Sequence, residues 1–204
     1  MINRFFLALC LALPAFATEP FATALSESQR ARLAELAQPK SLSSAFTESR
    51  HTPLKRLPVV VSGTVRIDHQ RGLSLEYNQR GAPVVILDEQ GLLLRHANGR
   101  EQSAPPDAET DLRLLHALFA FDLATLEKSY SLAATDGPDG GWTLVFTRLP
   151  ESAASYRELV LTGTSDRLTG IILAKTPNLK TEIALEAPQR VPSFSAEDLA
   201  RYFR

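Results

Sequence analysis

The sequence predicts an α+β fold, an antiparallel meander of about 10–11 strands with an apolar helix laid across its concave face. Three observations carry this. In the stretch from Pro58 to Tyr77, Val59, Val61, Val65 and Ile67 share one parity and Ser62, Thr64, Arg66 and Asp68 the other, which is the period of a strand with one apolar and one wet face. His69 to Gly72 then turn the chain, and Leu73, Leu75 and Tyr77 resume the alternation, so the stretch is a hairpin. Strand patterns follow one another from Ser41 to Gln102 with no crossover helix between them, which parallel pairing would require. Finally, a helical pattern after Pro106 is apolar on nearly all sides, and such a helix is buried on more than one side.

Taken in order, the chain opens on an export signal: Asn3 and Arg4, an apolar run from Phe5 to Ala12, and Ala15-Phe16-Ala17 as a small-x-small cleavage site. The expected organisation is a signal peptide over 1–17 and a single domain over 18–204, located in the periplasm. The apolar run falls short of the roughly 20 residues a membrane helix needs. Cys10, the only cysteine, lies inside that run and follows Leu9 rather than a small residue, so it does not read as a lipidation site. Its loss with the signal removes disulfides, thiolate catalysis and cysteine metal sites together. With 22 basic and 23 acidic residues and no basic stripe along the sequence, nucleic acid is excluded as a partner and an anionic membrane surface is a poor one.

Phe21 to Gln38 reads as the first helix, with Ser26 and Gln29 in capping-box form, a stripe of Leu25, Leu33, Leu36 and Ala37, and Pro39 as its stop. Ser41 to Arg50 is the first strand, with Leu42, Ser44 and Phe46 on one parity. Beyond the 58–77 hairpin come Pro83 to Asp88 and Gly91 to His96, joined at Glu89-Gln90, with a tight turn at Asn98-Gly99. Leu112, Leu115 and Phe119 form one face of the central helix, Leu114, Leu118 and Phe121 another, and Asp122 caps a short helix from Leu123 to Tyr130. Strands resume over Tyr130 to Thr135, Trp142 to Leu149, Tyr156 to Gly163, Leu168 to Ala174 and Leu179 to Ala187. Ser195 and Asp198 then cap a last helix whose apolar positions are Leu199, Tyr202 and Phe203.

Catalytic signatures are missing from this pattern. No nucleophile elbow, phosphate loop, dinucleotide fingerprint or metal-binding histidine pair occurs. His51, His69, His96 and His116 are scattered over a loop, a turn, a strand end and a helix, without the positioned partners general-base work needs. The run Asp136-Gly-Pro-Asp139-Gly lacks the closing glutamate of a calcium loop and reads as a hairpin turn. Asp107, Glu109 and Asp111 sit where a helix N-terminus favours negative charge. The expectation is therefore no enzyme, no catalytic residue, no metal and no cofactor. Whether the apolar strands enclose a ligand cavity or a core filled by their own side chains stays open, because periodicity does not separate the two.

Several short motifs are similar to those of the periplasmic lipoprotein carriers of the LolA type. Leu42-Ser-Ser-Ala-Phe46-Thr-Glu48 resembles that family's FxQ strand and Ser62-Gly63-Thr64-Val65 its small-glycine strand. Gly72 to Tyr77 stands where the family has a leucine, a tryptophan and an acidic-aromatic pair, with Leu75 at the tryptophan position; Pro83 begins the next strand as in the family. Leu168-Thr-Gly-Ile171 and Thr181-Glu-Ile183 are similar to the closing strands.

The resemblance implies a half-open β-barrel with helices over its concave mouth as a lid, and a soluble carrier that holds the acyl chains of a lipoprotein or other amphiphile in an apolar cavity and moves it from the inner towards the outer membrane. Its implied partners are acylated lipoprotein or other lipid cargo, an inner-membrane transporter and an outer-membrane acceptor of similar fold, and the carrier itself is expected to be a monomer. On this reading the cavity is lined by Phe46, Val59, Val61, Val65, Ile67, Leu73, Leu75, Tyr77, Leu115, Phe119, Trp142 and Phe146. His69 and Arg71 stand nearest to the arginine that latches the family's lid. Two alternatives are a non-carrying periplasmic structural or interaction module with a filled β core, and a carrier for a glycolipid or lipid-linked pigment working with an inner-membrane exporter. Each buried methylene contributes about 0.8 kcal/mol, so a chain of roughly 16 carbons gives on the order of 12 kcal/mol to whatever shields it.

Overall fold

A computed structural model describes residues 25–38, 41–103, 106–165, 167–186, 189–191 and 193–204. The expected export signal and cleavage site, the start of the first helix and its Pro39 stop lie outside these residues. The described chain builds one large antiparallel sheet with helices on both of its faces.

Helix α1 (Glu27–Leu36) begins at the expected capping box: the Ser26 hydroxyl accepts from the Gln29 amide at 3.2 Å, and the Gln29 side chain accepts from the Ser26 amide at 2.9 Å. Only Leu33 of its apolar stripe is fully buried. The helix is fixed at one end of the sheet by Arg32 and Gln29, which donate to the Asp136 carboxylate at 2.5 and 3.1 Å.

Six strands then run as a meander: β1 (Ser41–His51), β2 (Val59–Asp68), β3 (Gly72–Tyr77), β4 (Val84–Asp88), β5 (Gly91–Arg95) and β6 (Glu101–Ser103). Helices α2 (Pro106–Phe119) and α3 (Leu123–Leu126) interrupt them, with Asp122 capping α3 through a 3.1 Å bond from the Thr125 amide. A second meander follows: β7 (Tyr130–Asp136), β8 (Gly141–Arg148), β9 (Glu158–Thr164), β10 (Arg167–Thr176) and β11 (Leu179–Leu185). The glycine-rich run 137–141 is the tight β7–β8 connection, with one 3₁₀ turn at Pro138–Gly140.

The two meanders join where β1 pairs β11, which gives the path β6-β5-β4-β3-β2-β1-β11-β10-β9-β8-β7. A short strand absent from the sequence reading, β12 (Gln189–Val191), pairs the beginning of β1. Along that path β6 and β7 are the two ends, so the curved sheet is an open half-barrel rather than a closed one.

Strand parity sorts the side chains. Val65, Ile67, Leu73, Leu75, Leu144, Phe146, Leu159, Leu161 and Ile171 form the concave core together with Leu115, Leu118 and Phe119 of α2. α2 packs on β4 and β5, as the all-apolar helix required.

The last helix, α4 (Ala196–Tyr202), is capped by Ser195 as expected but lies on the other face. Its partners Arg66 and Glu76 have the parity opposite to Val65 and Leu75: the Arg66 guanidinium stacks 3.6 Å from the Tyr202 ring centroid, and Arg201 donates to Glu76 at 3.0 Å. The lid on the concave side is thus α2 with α3, while α4 shields the outer side of β2 to β5, where Ser74, Ile86 and Leu93 are buried side by side.

Candidate functional site

Two aromatic-over-glycine pairs set the floor of the concave face. Phe46 on β1 stands opposite Gly63 on β2, and a Cβ at Gly63 would come within 2.9 Å of the Phe46 ring. Trp142 on β8 stands opposite Gly163 on β9, where a Cβ would lie 2.0 Å from the indole. In each pair the missing side chain lets the ring lie flat on the neighbouring strand.

Above the first pair, between α2 and the middle of the sheet, is a cavity of about 410 Å³, a size in the ordinary range of small-molecule sites. Its apolar wall comes from Phe46 (β1), Val65 (β2), Leu75 (β3), Val85 (β4), Leu173 (β10), Ile183 (β11) and, from α2, Leu112, Leu115 and Phe119. The α2 residues recur at three- and four-residue spacing and so share one face of the helix. Tyr77 packs edge-on against Phe46 at 5.5 Å.

The cavity also has a polar end. Glu48 and Arg50 follow Phe46 on the same face of β1, and Thr181 stands opposite Arg50 on β11. The buried Glu48 carboxylate accepts from Arg50 Nε at 2.5 Å, from Arg50 Nη2 at 3.0 Å and from the Tyr77 hydroxyl at 3.1 Å. Burial pushes the Tyr77 phenol up to about 12, and the Glu48 charge adds to the effect. The hydrogen bond to Glu48 raises Arg50 above its ordinary value, against the opposing effect of burial. Asp111 on α2 faces the Tyr156 hydroxyl across the cavity. Burial first and the Asp111 charge second hold the Tyr156 phenol well above its ordinary value. The space is therefore amphiphilic, greasy over most of its wall and rich in hydrogen-bonding groups at one end.

Six of the twelve cavity positions read from the sequence meet here: Phe46, Val65, Leu75, Tyr77, Leu115 and Phe119. The other six lie elsewhere. Ile67, Leu73, Trp142 and Phe146 are packed in the core, Val61 is buried outside the cavity wall, and Val59 is 39% exposed at the start of β2. Their parity was right; the curvature of the sheet and the length of α2 confine the open space to its middle. Trp142 in particular is covered by Phe121, with ring centroids 6.0 Å apart.

The sequence reading missed Val85, Leu112, Leu173 and Ile183, and the polar end with Glu48, Arg50, Asp111, Tyr156 and Thr181. A signal for two of these existed: Glu48 and Arg50 are charges that continue the parity of Phe46 on an otherwise apolar face.

His69 and Arg71 occupy the β2–β3 turn and line a different, polar pocket of about 300 Å³ with Arg113 and His116 of α2, Asp88 and Arg204. Arg71 donates there to the backbone oxygen of Arg204 at 2.9 Å rather than to α2. Burial and the nearby Arg113 charge hold the His116 imidazole below its ordinary value, with Asp122 opposing.

No protein-family model matches the sequence and no curated protein matches it. Solved structures do. The chain aligns over 83% of its length with a chain of the Pseudomonas aeruginosa MucA/MucB complex, at 14% identity and a TM-score of 0.50, and covers 58% of that chain. It also aligns over 83% of its length with a LolA superfamily protein from Nitrosomonas europaea (8% identity, TM-score 0.44, 96% of that chain). A DUF1329 family protein from Desulfovibrio piger aligns over the same share of this chain (11% identity, TM-score 0.42, 92% of that chain). Similarity at these identities concerns fold alone, here an open α+β half-barrel built on one antiparallel sheet.

Proposed function

We propose that this protein is a soluble periplasmic carrier that takes the acyl chains of a lipoprotein or another amphiphile into the cavity beneath α2 and moves its cargo from the inner towards the outer membrane. The observation that carries this reading is the cavity itself: nine apolar side chains from six strands and a helix line a half-open space of about 410 Å³ between α2 and the sheet. A module with a solid β core would fill that space, since interiors otherwise pack to crystal-like density. The polar end formed by Glu48, Arg50, Tyr77, Asp111 and Tyr156 suits a ligand with a polar head, such as the acylated terminus of a protein or the head of a glycolipid. The pattern of residues 1–17, read as an export signal, supports the periplasmic setting. Among the described residues no helix is long and apolar enough to cross a membrane. The delivering inner-membrane transporter and an outer-membrane acceptor of similar fold are the partners this reading implies.

The purified mature protein, stripped of lipid, is expected to take up a fluorescent fatty-acyl probe saturably, and its organic-solvent extract before stripping to contain lipid by mass spectrometry. Leu112→Trp, which places an indole in the cavity from a half-buried position on α2, is expected to abolish uptake with the thermal midpoint little changed. Absence of both extracted lipid and probe uptake would overturn the proposal.

A further inference from the structure

The exposed apolar side chains of this protein are gathered in one place. Among the described residues the large hydrophobics left in solvent are Leu54 (96% exposed), Leu57 (79%), Val60 (58%), Val59 and Leu179. They are far apart in sequence at the extremes, yet the register unites them. Val59 and Val60 stand opposite Arg50 and Ser49 where β2 begins. Leu179 opens β11 beside Lys180, which is opposite His51 at the end of β1. Leu54 and Leu57 belong to the loop 52–58 that joins those same ends of β1 and β2. Pro53 and Pro58 flank the loop and restrict its backbone, so the leucines are presented rather than tucked away. Scattered exposed leucines need no explanation, but a cluster of this kind does.

Charge says what the patch meets. Between the two leucines lie Lys55 and Arg56, both exposed, and no carboxylate pairs with either among the described residues. The neighbouring cations are already held: Arg50 by Glu48, and Lys180 by Glu182 at 2.6 Å. An exposed loop in which two bare leucines flank two unpaired cations matches the interface of an anionic bilayer, where apolar side chains enter the acyl boundary and basic ones remain among the phosphates. Two adjacent cations make no basic stripe in the sequence, and it is the fold that adds Val60 and Leu179 to the apolar residues beside them.

We propose that the loop 52–58, with Val60 and Leu179, is a membrane-docking tip that seats the protein on an anionic lipid surface. It lies at the rim of the cavity, since Arg50 and Thr181 line the cavity and pair with the strand ends that carry the tip. Docking there brings the cavity's polar end to the bilayer. The inference rests on the exposed side chains and is independent of what the cavity holds.

The test is co-sedimentation of the mature protein with vesicles of phosphatidylcholine alone and of phosphatidylcholine containing one-third phosphatidylglycerol. The wild type is expected to bind the anionic vesicles about tenfold better, with the preference erased at high salt. Leu54→Asp with Leu57→Asp should lower binding to the anionic vesicles at least about tenfold, and Lys55→Glu with Arg56→Glu should remove the preference for phosphatidylglycerol. Both double variants change exposed side chains, so their thermal midpoints and acyl-probe uptake should match the wild type. The inference is overturned if the wild type binds neither vesicle, or if the variants bind as the wild type does. A protein partner captured through the same loop, with no vesicle binding, overturns it in favour of a protein interface.

Discussion

Glu48 and Arg50, two residues apart on the inward face of β1, hold each other through two hydrogen bonds at the polar end of the cavity, 2.5 Å from Nε and 3.0 Å from Nη2. Glu48 is buried while Arg50 is nearly half exposed, so the pair is unequal: the carboxylate depends on the guanidinium more than the reverse. Arg50→Ala should leave Glu48 with only the Tyr77 hydroxyl and lower stability by about 1–3 kcal/mol, the cost of a poorly satisfied buried acceptor. Glu48→Gln should be milder, because Arg50 regains water. Denaturant midpoints of the two variants check the order; a larger loss for Glu48→Gln would mean that the arginine is the dependent partner.

Alkaline pH should loosen the same corner. The Tyr77 phenol is pushed up to about 12 by burial and by Glu48, above its ordinary 10.0. Because the folded value is raised, the stabilisation is fully present below pH 10 and is lost as pH climbs from 10 towards 12, where the unfolded chain ionises first. At about 1.4 kcal/mol per pH unit, Tyr77 alone accounts for a fall of at most about 3 kcal/mol. Tyr77→Phe should flatten part of that decline in a series of denaturant melts. Absorbance of the phenolates in the folded protein should rise only above pH 10, since Tyr130, Tyr156 and Tyr202 are shifted upward as well.

The two aromatic-over-glycine pairs predict a contrast among alanine substitutions. Gly63→Ala and Gly163→Ala place a methyl against backbone oxygens and a ring that cannot move aside, and each should cost about 1–3 kcal/mol through overpacking. Gly81 has open space around it but φ of +78°, so Gly81→Ala should cost only about 1 kcal/mol, from backbone strain. Thermal melts that ranked Gly81→Ala as the worst of the three would contradict the packing argument.

These contrasts also show which parts of the architecture a single sequence carries. Alternation located almost every strand, because a half-buried strand writes its pleat into the order of residues, as in Val65 to Ile67. The capping box of α1 and the Ser195 cap of α4 were legible for the same local reason. β12 was not, since three residues are too few for a period and its pairing with β1 is a long-range event. The side of the sheet on which α4 lies depends on Arg66 and Glu76 facing outward to meet Tyr202, a contact between segments over a hundred residues apart. For the cavity, parity told which residues face inward but not which of them α2 touches. Phe146 and Leu75 have the same signature in sequence, yet one is sealed in the core and the other borders open space. The polar end was overlooked because Glu48 and Asp111 each have an ordinary local reading, a strand charge and a helix start.

The outer helix gives a last prediction. Arg95 at the end of β5 sends one nitrogen, Nη1, to three backbone oxygens at the close of α4, those of Ala200, Arg201 and Phe203, at 2.8, 3.0 and 3.0 Å. The last carbonyls of a helix have no partners within it, and a cation there satisfies them while favouring the negative end of the helix dipole. Seven residues are too few for α4 to persist by propensity, so its order depends on such anchors and on the burial of Tyr202 and Phe203. Arg95→Ala should therefore lower global stability by about 1–2 kcal/mol and, more tellingly, speed amide exchange in α4 before any other element. Arg95→Lys should restore little, because one ammonium does not reach three carbonyls with the reach of a guanidinium that also holds Glu101 at 2.8 Å. Since α4 lies on the face away from the cavity, acyl-probe uptake should survive the loss of Arg95. An equal loss of uptake would mean that the two faces of the sheet are coupled through Glu76 and Tyr77, neighbours on β3 that point to opposite sides.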